Sequence, residues 1–295
     1  PPMHKGFDLP IANILHTGSH NYYRHGRPGE SEEQFSSRLA EELEALILEE
    51  GPETVAAFVA EPVMGAGGAI IPPRTYFEKI QTVLRKYDVL MVADEVITGF
   101  FRTGKRFGCE TYGIEPDMII NAKQLSSAYM PISSVMMNEK VYSVIRDFAT
   151  ENSSLGTGFT YSGHPVAAAV ALETLKIYDD TDMEAHVAKV SVHAQRRLAA
   201  LGNHPLVGDA SGVGLIGSVE LVKDKETKEN FGPEIAAWCS EACTRRGVML
   251  RACAGTRVAF CPPLIITETQ LDQLFDRWEL ALDDTLEYVR SEGLL

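Results

Sequence analysis

Apolar residues recur at helical spacing through Phe35, Leu39, Leu43, Leu46 and Ile47. The run opens with Ser31-Glu32-Glu33-Gln34 and closes at Gly51. The serine hydroxyl and the glutamine amide can satisfy each other's free backbone donors, so this predicts a capped helix with one buried stripe. Residues 55–60 form a short apolar run, Tyr76, Ile80, Val83, Leu84 and Tyr87 form a second helical face, and residues 89–93 are continuously apolar. That order is strand, helix, strand. Met118–Asn121 and residues 132–137 are apolar at almost every position, the pattern of strands covered on both faces. The predicted class is α/β, with a mostly parallel, helix-covered sheet.

A helix opened by Pro165 extends to about Tyr178, and after it the pattern changes to antiparallel-looking strands with helices on one side. The expected elements are a helix near Met183–Leu201, a Gly-rich strand region at 207–222, a helix from Pro233 to the stop at Gly247, and strands at 248–251 and 257–261. A final helix starts at a second capping box, Thr267-Glu268-Thr269-Gln270, and buries Leu271, Leu274, Phe275, Trp278 and Leu282. The chain therefore divides into a large domain over 1–177 and a smaller α+β domain over 178–295. Within the second, Gly212-Val213-Gly214-Leu215-Ile216-Gly217 spells G-x-G-x-x-G. A dinucleotide site needs a helix after that motif, and here Ser218-Val219-Glu220-Leu221-Val222 alternates like a strand, so the glycines are read as a turn or bulge.

Composition narrows the partners. With 41 acidic against 27 basic residues in 295, the net charge of −14 opposes binding to nucleic acid or to an anionic membrane. No stretch approaches the roughly 20 apolar residues of a membrane helix, and Pro1-Pro2-Met3-His4-Lys5 has no secretory signal pattern. Five cysteines without a C-x-x-C pair suggest neither a disulfide framework nor a zinc site, and no metal is expected. A cytoplasmic location follows as the expectation. The absence of an initiator methionine suggests that the beginning is missing.

Asp94 and Glu95 end the apolar run at 90–93, at the edge where open α/β sheets bind ligands. Lys123 follows the run Met118-Ile119-Ile120-Asn121-Ala122, and a lysine directly after a buried strand is expected to be partly desolvated and able to act as a nucleophile. Strands ending in an acid and an amine can serve pyridoxal phosphate, which needs a Schiff-base lysine and an acid for its pyridinium nitrogen. Spacing alone leaves a structural salt bridge equally open.

The motifs Glu61-Pro62-Val63-Met64-Gly65-Ala66-Gly67-Gly68, Ala93-Asp94-Glu95-Val96-Ile97-Thr98-Gly99-Phe100 with Arg102-Thr103-Gly104, and Ala122-Lys123-Gln124-Leu125-Ser126-Ser127 decide between them. With Gly158-Phe159-Thr160-Tyr161-Ser162-Gly163-His164-Pro165 and Leu250-Arg251-Ala252-Cys253 before Pro262-Pro263-Leu264, the chain resembles the class III pyridoxal-phosphate aminotransferases. The likeness is greatest to the omega-amino-acid:pyruvate branch. The resemblance implies fold type I and a homodimer with a shared active site. It implies that Lys123 is the Schiff-base lysine, that Asp94 keeps the pyridinium protonated, and that Val96 packs on the cofactor ring. It also implies that Thr160 reaches the phosphate of the neighbouring subunit's cofactor and that Arg251 clamps a substrate carboxylate. Glu61 matches a position near that arginine, though it equally suits a strand cap, and Arg102 reads as structural.

Two positions depart from the family pattern. Phe101 replaces a glycine, which puts the turn in doubt because phenylalanine tolerates positive φ poorly. Gln124 replaces the commoner glycine after the lysine, with little effect expected. The family's front segment, with its phosphate cup and stacking aromatic, has no counterpart in this chain, so weak cofactor binding is expected. The implied reaction is amino transfer from an amine or ω-amino acid to a keto acid such as pyruvate. An aminomutase or decarboxylase on the same residues, or a non-catalytic fragment or subunit, is the alternative.

Overall fold

The structure is a computed structural model that describes residues 6–9 and 11–295; the Pro1–Lys5 stretch read above for a signal lies outside them. Strands β1 (Ala57–Ala60), β2 (Leu90–Asp94) and β3 (Met118–Asn121) are parallel, and β4 (Ser134–Met137) closes the sheet antiparallel to β3. Helices α1 (Tyr22–His25) and α2 (Glu32–Glu50) precede β1, and α3 (Tyr76–Lys86) joins β1 to β2. The α2 capping box forms as expected, with Gln34 N donating to Ser31 Oγ and Ser31 N to Gln34 Oε1. Phe35, Leu39, Leu43 and Ile47 of α2 meet Phe77, Ile80 and Leu84 of α3 over Met91 and Ala93 of β2. Each such buried side chain contributes about 1.5–3 kcal/mol, which makes this helix pair the foundation of the sheet.

Only one face of this sheet is covered. Alternation along the strands, with the β1–β2 and β3–β4 registers, puts Val59, Val92, Asp94, Ile120, Val135 and Met137 on the other face, where Val59 is 60% and Val135 53% exposed. The sheet is helix-covered as expected on one face, and the described residues supply no helix over the other. Apolar runs report that a strand is flanked by apolar surroundings, and no described element of this chain supplies the second layer. Helix α5 (Glu139–Glu151), which the apolar pattern did not single out, buries none of its residues and leaves Tyr142, Val144 and Phe148 exposed.

The second sheet runs β5 (Val207–Val213), β6 (Ile216–Leu221), β8 (Arg257–Phe260), β7 (Arg251–Ala252), all antiparallel. The G-x-G-x-x-G run is the β5–β6 hairpin turn. Gly214 takes φ +56, and a Cβ there would lie 2.4 Å from the Arg102 carbonyl, so glycine is required by both backbone and space. The strand expected at 248–251 starts only at Arg251, because the preceding residues close the helix before it. Val248 N donates back to Cys243 O, and Leu250 O accepts from Ser240 Oγ. Helices α6 (Pro165–Asp180), α7 (Met183–Leu201), α8 (Pro233–Arg245) and α9 (Glu268–Ser291) complete the order. α6 runs unbroken through the expected boundary at 177/178.

The two sheets share a core and a charged tie. Phe100, Phe101 and Leu125 from the first half sit in one apolar cluster with Leu198, Leu215, Phe260, Phe275 and Trp278 from the second. Arg24 of α1 ion-pairs with Glu220 of β6. The Arg257 guanidinium lies 2.8 Å from both Asp209 and Glu220 and donates to Ser218 Oγ, which in turn donates to Gly68 O. Among the described residues no helix is long and apolar enough to cross a membrane.

His20 is buried, with Nε2 3.5 Å from Ile70 O and its ring against Tyr76. Burial pushes its pKa down from 6.5 to about 4. The unfolded chain then binds the extra proton between those values, so this group's contribution to stability is intact above pH 6.5 and is lost as pH falls to 4. The loss is roughly 3 kcal/mol. Urea unfolding should show the wild type losing about that much more than His20→Phe between pH 7 and pH 4; a difference independent of pH would refute the account.

Candidate active site

Asp94 is the last residue of β2 and stands in register with Ile120 of the neighbouring β3. Its Oδ1 accepts the Val96 amide at 3.0 Å, an Asx-type turn that holds the carboxylate at the strand end. Two residues past β3, Lys123 opens a 3-10 turn, Lys123–Leu125, with φ +42. Ser127 and Ala128 follow at φ +50 and +65. Left-handed geometry costs an L-residue about 1–2 kcal/mol, so three such residues in six mark a backbone held by its surroundings. The carbonyl of Lys123 accepts both Ser126 N and Ala128 N at 3.2 Å, which folds the loop back on itself.

Lys123 is exposed, not partly desolvated as expected. The reason is the open sheet face, since the lysine emerges at the rim of a surface over which no described element lies. Glu61, just after β1, completes the group. It is half-buried and accepts the Gly65 amide at 2.8 Å. Burial pushes its pKa above the ordinary carboxylate value against the pull of that hydrogen bond, and the charges of Asp94 (upward) and Lys123 (downward) also reach it. The ends of three adjacent parallel strands thus bring together Glu61, Asp94 and Lys123, with Val96 half-buried beside Asp94.

The remaining candidates stand apart. Arg251 is exposed on the two-residue edge strand β7, and among the described residues no salt bridge joins it to Glu61. Thr160 is exposed in the loop before α6, without a side-chain hydrogen bond to Asp94, Lys123 or Glu61. Both face open space, as groups that meet a bound molecule or another subunit would.

The group that shapes the site is Glu95, named in the sequence only as the second half of an acidic pair. It is 1% exposed. Its carboxylate accepts Thr98 Oγ1 at 2.5 Å, Gly108 N at 2.9 Å and Cys109 N at 2.7 Å, so it also caps helix α4 (Gly108–Tyr112). Its backbone N–H donates to Ile120 O, tying the end of β2 to β3, and its carbonyl accepts Gly99 N. Gly99 passes so close that a Cβ would lie 2.7 Å from that carbonyl. The signal for this role was present in the sequence, since an acid directly after a buried strand with a Thr three residues on suits a local turn.

The turn that follows contains the departure at Phe101. Phe100 and Phe101 both take positive φ, +58 and +73, so the position does require what glycine offers. Phenylalanine occupies it with its ring buried in the shared core, which offsets the strain. Arg102 is buried with no carboxylate partner among the described residues; it donates to Leu215 O and Pro262 O, while its own carbonyl accepts Leu215 N. This is the structural role the sequence suggested, and it fastens the turn after Asp94 to the second sheet.

The model of the family described as aminotransferase class-III matches residues 2–282, and the chain belongs to that family. It is 48% identical over 287 residues to gamma aminobutyrate transaminase 3, chloroplastic, of Solanum lycopersicum, covering 97% of this chain and 55% of the relative. It is 47% identical over 293 residues to the mitochondrial gamma aminobutyrate transaminase 1 of the same plant, covering 99% and 57%. The chain thus spans little more than half the length of these relatives. A transaminase structure with L-Ala superposes with TM-score 0.95 at 51% identity, covering 98% of this chain and 68% of the other. The omega transaminase from Pseudomonas jessenii in complex with PMP superposes with TM-score 0.96 at 49% identity, covering 98% and 64%. The cytoplasmic expectation is corrected by these relatives, whose names place them in chloroplasts or mitochondria and point to an organelle. Composition and net charge do not carry an organellar address, which is read from separate targeting segments.

Replacing Glu95 by Ala leaves two buried amides and a hydroxyl without an acceptor. Each unpaired group costs about 1–3 kcal/mol, so Glu95→Ala should lose roughly 3–5 kcal/mol in urea unfolding. A loss below about 1 kcal/mol would mean that water replaces the carboxylate and that Glu95 does not hold the turn.

Proposed function

We propose that the protein uses pyridoxal phosphate to move an amino group from an amine or ω-amino acid to a keto acid such as pyruvate. The observation that carries this reading is the meeting of Asp94 and Lys123 at neighbouring strand ends, on an open sheet face. That donor set fits the group, because a carboxylate suits its ring nitrogen and an amine its aldehyde. When bound, pyridoxal phosphate supplies the aldehyde that an amine captures and a ring that draws electrons from the carbon losing its proton.

The chain's residues do the rest. Asp94 keeps Oδ1 on the Val96 amide and has Oδ2 left to hold a proton at the ring nitrogen. Lys123 acts first as the amine nucleophile and then, once freed, carries the substrate's proton on Nζ. Its exposure gives Nζ room for both tasks. Val96 packs against the ring. Arg251 grips the carboxylate of an amino or keto acid through two parallel hydrogen bonds, with Glu61 nearby on the substrate side. The names of the relatives and structures reported above favour transamination over the mutase, decarboxylase or non-catalytic alternatives.

Two lobes, 1–177 and 178–295, and a homodimer with a shared site belong to the same reading. Thr160 then serves the phosphate held in the neighbouring subunit, in a Gly-rich loop just before α6 where amides favour an anion. The exposed apolar residues Val135, Phe148, Phe159, Tyr161 and Leu172 support an interface on this side.

Incubation with pyridoxal phosphate followed by borohydride should fix mass on Lys123; attachment to another lysine with Lys123 free would overturn the central assignment. Arg251→Ala should reduce turnover of pyruvate about 10- to 100-fold, the cost of one truncated charged contact, and leave reaction of a simple amine nearly unchanged. Equal losses would make Arg251 structural. Sedimentation of the active protein should show a dimer, and full activity as a monomer would refute the shared site.

A further inference from the structure

Tyr178 lies near the end of α6, 54 residues along the chain from Gln124 and further still from the turn after Asp94. Its ring is buried beside two phenylalanines, 6.4 Å from Phe100 in a stacked arrangement and 5.8 Å from Phe101 edge-on. Its hydroxyl donates at 2.8 Å to the carbonyl of Gln124, the residue directly after Lys123. One side chain therefore touches both the turn that follows Asp94 and the turn that contains Lys123. Among the described residues no side-chain hydrogen bond runs directly between those two loops, and Tyr178 bridges them with its hydroxyl on one and its ring on the other.

The loop has reason to need such a contact. Lys123, Ser127 and Ala128 are all left-handed, and the loop is otherwise closed by its own hydrogen bonds. Those bonds, including Ser126 Oγ to Met130 O, are internal; Leu125 packs into the shared core, and the Tyr178 hydroxyl adds the directional contact that sets how the Gln124 peptide is turned. Burial pushes the Tyr178 phenol above its usual pKa of 10, so it stays protonated and remains a donor. Ring packing fixes where that donor sits, because Phe100 and Phe101 belong to the turn anchored by Glu95 and Arg102.

We infer that Tyr178 is a positioning residue. Its hydroxyl fixes the Gln124 peptide, its ring locks that peptide to the Phe100–Phe101 turn, and Lys123 is thereby held at a constant spacing from Asp94. The roles of Lys123 and Asp94 rest on the function proposed above; the ordering of the loop by Tyr178 does not.

The test compares the intact wild-type protein with Tyr178→Phe, which removes one oxygen and keeps the ring. Hydrogen exchange is followed at amides 124–129 without added cofactor, and the rate of borohydride-trapped pyridoxal phosphate attachment to Lys123 is measured alongside. The melting temperature should fall by no more than about 2–4 °C, and exchange in α7 and the β5–β6 hairpin should be unchanged. Loop amides should exchange about five- to tenfold faster, as loss of one hydrogen bond allows, and attachment at Lys123 should slow. Tyr178→Leu, which also removes the ring, should widen both effects and loosen residues 100–104; if it does not fold, Tyr178→Phe alone decides. Loop exchange in Tyr178→Phe equal to wild type overturns the inference. Attachment to a different lysine in the wild type would defeat the reading of Lys123 instead, and loop exchange would still decide the role of Tyr178.

Discussion

A carboxylate that never reaches solvent organises the site. Glu95 accepts three hydrogen bonds through its side chain and makes two more through its backbone, and these bonds turn the chain sharply at the end of β2. Because Glu95 points into the covered side of the sheet, Asp94, one residue earlier, must point out of it. The tight passage at Gly99, the left-handed pair Phe100–Phe101 and the buried Arg102 follow within seven residues. Two neighbouring acids thus have opposite tasks. One is satisfied and inert, and the other is left with a free oxygen.

The groups proposed to react, Asp94 and Lys123, lie at strand ends beside a sheet face that the described residues leave open. β1 and β4 leave apolar side chains exposed on the face of Asp94, and α5 buries nothing. A sheet face of this kind is stable because α2 and α3 supply the burial on the opposite side. It leaves strand ends free to meet a planar ligand without first displacing a layer of side chains.

Much of this was legible in the sequence. The two capping boxes, the strand order and the hairpin glycines follow local rules in which a few neighbouring residues decide the structure. Asp94 and Lys123 were legible because each directly follows an apolar run. The exposure of Lys123 was not, since it depends on what lies opposite the sheet. α5 escaped because its apolar residues line a stripe that the described chain does not bury. The late start of β7 was missed because Val248 and Leu250 look like strand residues while their backbone groups serve the end of α8. Tyr178 carried no signal at all, because tertiary folding brings its partners to it from two other segments of the chain.

The charged tie between α1 and the second sheet has an implication for how such a sequence can drift. Arg24, Asp209, Glu220 and Arg257 come from three distant stretches of the chain and balance two positive against two negative charges in a largely buried setting. Removing Glu220 leaves Arg24 without its carboxylate, and removing Arg257 leaves Asp209 without its cation, at a cost of up to about 3–5 kcal/mol, whereas replacing the whole set by apolar residues is often neutral. Single substitutions at these positions are therefore closed to the protein, and simultaneous ones are rare. The quartet is expected to persist or to vanish together among descendants of this chain, making it a record of ancestry independent of catalysis.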